Sequence, residues 1–199
     1  MAKILETIKG IQVVQDDDGR VHWTSGAAID ADGANGQTGG PFAYRADNRG
    51  LDNNANAGYP NGNWASILID NGNGEPLDDG AGNWYSQTTY FWAERPVPTR
   101  YVDSTQIPYV VVNPKVRIKA AGVVIGCKAR VTYKERSVMA VVADVSGPND
   151  IGELSIAAAH ALELPESPRT GGVSAGVQFE LWPGTEVTID GDTYKLQPA

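Results

Sequence analysis

The sequence predicts a single, mainly-β, loop-rich domain, and three observations carry that expectation. At 199 residues the chain can close one sizeable hydrophobic core, and no shift in composition marks a second, so one domain over 1–199 is expected. Its 23 Gly and 12 Pro, with abundant Asn, commit much of the backbone to turns. β-branched residues dominate the apolar runs after Ile107, as strands prefer.

Taken in order, the patches IQVVQ (11–15) and RVHW (20–23) flank Asp16-Asp17-Asp18-Gly19, which predicts a hairpin. From Asp30 to Asn63, Gly, Asn and Asp dominate and no period of 2 or 3.6 survives, which predicts a long loop region. Phe42, Tyr44, Tyr59 and Trp64 interrupt that tract and favour an ordered wall around a site over a disordered linker. WASILID (64–70) reads as a buried strand, 70–83 as a turn-rich excursion, and NWYSQTTYFW (83–92) as an aromatic strand ended by Pro96 and Pro98. IPYVVV, KVRI, GVVIGCKARVTY and RSVMAVVAD (136–144) read as further strands, the last two joined by a tight turn at Lys134-Glu135. Ile151, Leu154, Ala158, Ala161 and Leu162 recur at three- and four-residue spacing and predict the one main helix, ending before Pro165. VQFELW, EVTI and TYKL return to short strands, joined by turns at Pro183-Gly184 and Asp190-Gly191.

Sixteen Lys and Arg against 24 Asp and Glu leave a net charge of −8, a field that repels nucleic-acid phosphate and anionic lipid and favours a cationic ligand. Plain solubility is the competing explanation of that charge. The lone Cys127 forms no intramolecular disulfide and reads as a small core residue. No apolar run approaches the ~20 residues of a membrane span, and the N-terminal MAKILETIKG lacks the apolar segment of a secretory signal. Zinc-ligand spacing is absent, and in DNGNGEPLDDG (70–80) Gly72 stands where a calcium loop needs Asp or Asn, so neither a metal nor another cofactor is expected.

The chemistry concentrates in residues 129–165. A hairpin delivers Asp144 to the end of an apolar strand, a Gly-Pro turn follows, and the predicted helix holds Glu153 in its first turn. Two carboxylates on either side of one turn suit glycoside hydrolysis. Asp150 and Glu153 also have the spacing of a helix capping box, and an Asp before Gly-Pro often binds the turn amides. On physical grounds a helix N-terminus would keep Glu153 ionised, as a base, and an apolar strand end would keep Asp144 protonated, as an acid.

The run VMAVVADVSGPNDIGELSIAAAHAL closely resembles the signature of the chitosanases of glycoside hydrolase family 75. AAIDADGAN (27–35) and TRYVDSTQIPYVVV (99–112) are similar to two further motifs of that family, in the same order. Ala31, where fungal members tend to have Cys, and Ser146, in a turn usually read Asp-Val-Gly-Pro, depart from the pattern. The resemblance implies that Asp144 and Glu153 are the essential acids, that cleavage of the β-1,4 linkages of chitosan is endo-acting and inverting, and that the protein is secreted. The same unit resembles double-psi β-barrel proteins of the rare-lipoprotein-A and expansin type, which implies a six-stranded double-psi barrel core with one main helix and long loops.

Chitosan carries an ammonium on most sugars below neutral pH. Asp30, Asp32 and Asp103 are the candidate carboxylates for binding it, with turn formation as the plainer role. Trp64, Trp84, Tyr90 and Trp92 are candidates for stacking on sugar rings, with core packing the plainer role. The partner expected is chitosan or a glucosamine oligosaccharide, bound by a monomer. Three rivals remain open: a non-catalytic module that binds or loosens cell-wall glycan, a hydrolase of peptidoglycan or another β-1,4 glycan, and a structural interaction domain.

Overall fold

The computed structural model describes residues 2–34 and 42–197; the part of the predicted loop at 35–41 lies outside them. The chain runs β1 (Lys3–Ile8), β2 (Ile11–Gln15), β3 (Val21–Asp30), β4 (Tyr44–Arg45), a 3-10 turn (Trp64–Ser66), β5 (Asn83–Trp84), α1 (Val97–Arg100), β6 (Tyr109–Val112), α2 (Pro114–Lys119), β7 (Lys128–Tyr133), β8 (Arg136–Val145), β9 (Glu153–Ser155), α3 (Ile156–Ala161), β10 (Val173–Trp182), β11 (Val187–Ile189) and β12 (Asp192–Tyr194).

The fold is mainly β around a closed six-stranded barrel. Going round it, β3 pairs with β10, β10 with β7, β7 with β8, β8 with β6, β6 with β9, and β9 with β3 again. Closure leaves the ring without a free edge, and the β1-β2 hairpin extends it from β3. Two of the junctions, β3–β9 and β6–β8, are parallel and the other four antiparallel.

Local chemistry explains most of these elements. The β2-β3 turn closes with the Gly19 amide donating to the Asp16 carbonyl at 3.0 Å, and the β7-β8 hairpin places Lys134 at φ 53°, a turn conformation. Along β3, Val21, Trp23, Ser25 and Ala27 are buried on one face while the residues between them are less so, the period-2 signature of a strand. Trp23 stacks on Phe179, its register partner in β10, at 5.1 Å and 7°, a cross-strand aromatic pair of the kind that stabilises sheets. Strand β6 is buried at all four positions, which is why it reads as an unbroken apolar run.

Several expectations shift. KVRI is helix α2 instead of strand: Asn113 caps it, accepting from the Lys115 amide at 2.8 Å, and Pro114 opens it. WASILID is a 3-10 turn followed by isolated bridges, and the aromatic run 83–92 is a strand only at Asn83–Trp84. The main helix starts late. Residues Glu153–Ser155 form β9, and α3 begins at Ile156 under a Ser155 cap that accepts from the Ala158 amide at 3.1 Å. The Asp150/Glu153 capping box is therefore not formed, and the Asp150 carboxylate instead pairs with Lys9 at 2.7 Å. Cys127 is buried just ahead of β7.

Glu180 ties the antiparallel side of the barrel together. It is 1% exposed on β10, between Arg130 of β7 and His22 of β3 in the ladder, and it accepts from Arg130 Nε at 2.6 Å and from Arg20 Nη1. Burial alone would raise its carboxyl, but the two guanidiniums hold it below the ordinary value. Arg20 and Arg130 reach solvent at 32% and 40% exposure, so Glu180→Ala loses the charged hydrogen bonds without stranding a buried charge and is expected to cost about 2 kcal/mol and roughly 4–8 °C of Tm at pH 7. Because the native carboxyl is the stronger acid, that difference should shrink as pH falls below about 4, which thermal melts across pH will show.

Candidate active site

Asp144 reaches the groove through a bulge. Between β6 and β8 the register steps from Val110↔Val142 to Val111↔Asp144, skipping Ala143. The extra residue turns Asp144, instead of Ala143, to the same side as Val111. The Tyr90 amide takes the displaced Ala143 carbonyl at 2.8 Å. On the opposite flank of β6, Val111 pairs with Glu153 of β9. Two strand spacings put the Cα atoms of Asp144 and Glu153 on the order of 9–10 Å apart. Directly paired residues share a face, and Val111, Asp144 and Glu153 line one cavity of about 510 Å³.

Strand β9 can lie so close to β3 because Gly152 precedes it. A Cβ there would sit 2.4 Å from Ser25 Oγ and 2.5 Å from the Gly26 carbonyl, and its φ is +84°. Asp30, at the end of β3, and Asp32 face the same cavity. Gly33 makes the turn after them at φ +77°, where a Cβ would meet the Val102 carbonyl at 1.9 Å.

The two principal carboxyls differ in surroundings. Asp144 is 9% exposed, and its Oδ1 accepts from the Thr89 amide at 3.1 Å, Thr89 Oγ1 at 2.6 Å and the Val145 amide at 2.8 Å. Burial pushes it up to about 6 against those three stabilising bonds. Glu153 is pushed up to about 7, by burial first and then by the negative charges of Asp144, Asp150 and Asp52. The ordering expected from a helix N-terminus is reversed, since Glu153 stands on a strand and no helix end favours its ionised form.

Asp30 and Asp32 complete a pocket of four carboxyls. Asp30 is 7% exposed; its Oδ1 accepts from the Asp32 amide at 2.9 Å and its Oδ2 is 3.0 Å from the Tyr109 hydroxyl. That hydroxyl is also 3.0 Å from the Asp32 carbonyl. It has one proton to donate, so satisfying both contacts places a proton on Asp30. Burial, then Asp32, Glu153 and Asp144, hold Asp30 well above its ordinary value, in agreement with that geometry. Asp32 accepts from the Tyr44 hydroxyl and is likewise raised, by burial first and Asp144 next. One oxygen from each of Asp30, Asp32 and Asp144 lies within 4.8 Å of the others, a cluster whose charge an ammonium or a metal cation would neutralise.

The other candidates lie elsewhere. Asp103 is buried and folds onto its own turn, accepting from the Thr105 amide at 2.8 Å and hydroxyl at 2.7 Å. Trp84 and Tyr90 are core residues at 6% and 1% exposure. Trp64 packs edge-on against Tyr59, and Trp92 lies against the barrel core under the Arg95 guanidinium. None of these five lines the carboxyl cavity, whose described wall brings in Ser66, Ile67 and Thr89. Phe91 and Tyr101 line an adjoining cavity of about 460 Å³ that shares Asp144 with the first. No spacing in the sequence separates these aromatics from their core neighbours.

No protein-family model matches the chain, and no curated protein is significantly similar to it.

A raised native pKa means that the folded state binds protons the unfolded chain has released, so stability falls as pH rises through the interval between the two values. For Glu153 that interval runs from its ordinary 4.5 to about 7. Glu153→Gln is expected to stabilise the protein by about 2 kcal/mol at pH 8, a Tm gain of several degrees, and by almost nothing at pH 4. Melts at the two pH values check this; an equal effect at both would mean that Glu153 is not perturbed.

Proposed function

We propose that this chain is an inverting, endo-acting chitosanase of the glycoside hydrolase family 75 type, with a double-psi arrangement as the finer description of its barrel. The observation that carries the proposal is the pairing of Val111 with Asp144 on one flank and Glu153 on the other, above an open cavity. A sugar linkage lying across β6 would have one carboxyl on each side. The Cα spacing accommodates the ~6.5–9.5 Å between carboxyls that inversion requires, which leaves room for a water.

Each role follows from the surroundings of the group. Glu153, the weaker acid, stays protonated near neutrality and donates its proton to the glycosidic oxygen as the bond to the anomeric carbon breaks. Asp144, kept more acidic by Thr89 and Val145, is the ionised partner that takes a proton from the attacking water. The water oxygen bonds to the anomeric carbon from the opposite face, giving a product of inverted configuration. Exchange with solvent then returns a proton to Glu153 and removes one from Asp144. The Asp32 carboxyl lines the same cavity and favours the ammonium groups of glucosamine units there. Secretion accompanies this proposal as a property implied by the resemblance, and a monomer is its expected state.

The test is reducing-end release from soluble chitosan. Wild type should cut, and Asp144→Asn and Glu153→Gln should each lose on the order of 10²–10⁴ in rate while remaining folded. NMR should detect the α-anomer first. The pH profile should be bell-shaped between limbs near 6 and 7. Thr89→Ala removes a bond to the ionised Asp144 and should move the acidic limb upward by up to about one pH unit. No new reducing ends from wild type, with glycan still bound, would favour a non-catalytic module instead.

A further inference from the structure

We infer that Asn113 is a positioning residue of the carboxyl groove: its buried side-chain amide staples the connection between β8 and β9 to the end of β6 and so fixes where Glu153 and Asp150 stand relative to Asp144. The inference rests on the reading of Asp144 and Glu153 as the working acids and adds the residue that holds them in place.

The need for such a staple follows from the topology. Strand β6 lies between β8 and β9, so the chain from Val145, where β8 ends, to Glu153, where β9 begins, must cross the C-terminal end of β6. Asp144 stands at one foot of that crossing and Glu153 at the other. Each foot is tied down by the backbone: the Ser146 amide donates to the Val112 carbonyl at 3.1 Å, and the Ala28 amide donates to the Gly152 carbonyl at 2.8 Å. Between these ties, residues 147–150 are all exposed, so the turn brings no buried side chain of its own to fix its height. An exposed turn of that kind opens readily unless something beneath holds it. Gly147 and Asp150 nevertheless form part of the wall of the carboxyl cavity.

Asn113 supplies the hold from below. It is 1% exposed; its Nδ2 donates to the Asp150 carbonyl at 2.7 Å and to the Gly147 carbonyl at 3.2 Å, while its Oδ1 accepts from the Lys115 amide at 2.8 Å. Capping α2 needs only the acceptor, which Ser, Thr or Asp would offer equally well. Binding two carbonyls at the same time needs two N–H donors beside that acceptor, and among these short side chains Asn alone carries them. Ser146 Oγ adds a lesser bond, lying 3.1 Å from the Gly147 carbonyl and 3.0 Å from the Asp150 carbonyl with one proton to share between them.

The hold matters because of what faces Glu153. Asp144 comes from β8, Asp30 and Asp32 from the end of β3 and just beyond it, Asp52 from the loop after β4, and Asp150 from the turn, with Lys9 paired to Asp150 at 2.7 Å. Burial first, then the charges of Asp144, Asp150 and Asp52, hold Glu153 at about 7. The bulge keeps Asp144 where it is, whereas the cover given by the turn and the place of Asp150 depend on the staple. Releasing the turn admits water and lets Asp150 swing outward, and both changes make Glu153 a stronger acid.

Titration of the side-chain carboxyls by NMR in the full-length wild type, Asn113→Ser and Asn113→Ala tests the staple. Serine keeps the helix cap and loses the donors to the turn; alanine loses both. In each variant the Glu153 midpoint should fall from about 7 by about half a pH unit or more, and alanine should add the further Tm loss of a missing cap. Ser146→Ala should move Glu153 in the same direction by less. On chitosan, Asn113→Ser should lower kcat by about tenfold with little change in KM, and the alkaline limb of the pH profile should move down with the Glu153 midpoint. An unchanged Glu153 midpoint in Asn113→Ser, or in Ser146→Ala should the serine variant not fold, reduces Asn113 to a helix cap and overturns the inference. Failure of wild type to cut chitosan sinks the hydrolase reading alone, because the carboxyl titration needs no turnover.

Discussion

The site depends on the register of β6. Its residue Val111 has Asp144 on one flank and Glu153 on the other, and both pairings must hold at once for two carboxyls to face one groove. The side-chain period of a strand is two residues, so a slip of one on either flank would turn a carboxyl into the wall or the core. The parallel β6–β8 ladder by itself would bring Ala143 opposite Val111. The bulge at Ala143, held by the Tyr90 amide, is what exchanges that alanine for the aspartate. On the other flank, Gly152 lets β9 approach β3 closely enough to fix Glu153. Burial of all four β6 residues makes the strand too well packed to slide.

A pocket of four carboxyls is an expensive thing to fold. Burial raises Asp30, Asp32, Asp144 and Glu153 together, neighbouring carboxyl charges raise Asp30, Asp32 and Glu153 further, and the hydroxyls of Tyr44, Tyr109 and Thr89 relieve part of that cost by hydrogen bonding. The relief is uneven. Asp144 receives three bonds on one oxygen and is the more readily ionised of the pair, whereas Glu153 is raised by burial first and by neighbouring negative charge next. That unevenness separates two like side chains in acidity, as the proposed acid and base roles require. The pocket costs stability, and the remainder of the barrel, with its Glu180 tie and the Trp23-Phe179 stack, offsets it.

Local chemistry was legible in the sequence wherever a turn or an alternation announced itself. The β2-β3 hairpin, the Lys134-Glu135 turn and the tail strands follow from Asp-Gly, Pro-Gly and β-branched residues that act within a few positions of one another. Short apolar runs were not legible, because KVRI and WASILID fit a helix, a strand or a turn equally well. Asn113-Pro114 did carry a start signal for α2, a cap followed by proline. Leu154 and Ala158 share a spacing that suits a helix, yet Glu153–Ser155 is drawn into the barrel by β3 and β6, and tertiary pairing overrides the local period.

What the sequence determined alone is an acid at the end of an apolar strand, Asp144, a second acid across a Gly-Pro turn from it, Glu153, and a third, Asp30, at the start of the long loop region, with the glycines and prolines that turn the chain beside them. Only the tertiary structure decided that these acids share a pocket, that Glu153 stands on a strand and Asp144 on a bulge, and that Phe91 and Tyr101 open onto the groove while Tyr90 and Trp84 are core. The reason is physical: turn preferences act between neighbours along the chain, whereas the environment of a carboxyl or a ring is set by strands that meet only when the barrel closes.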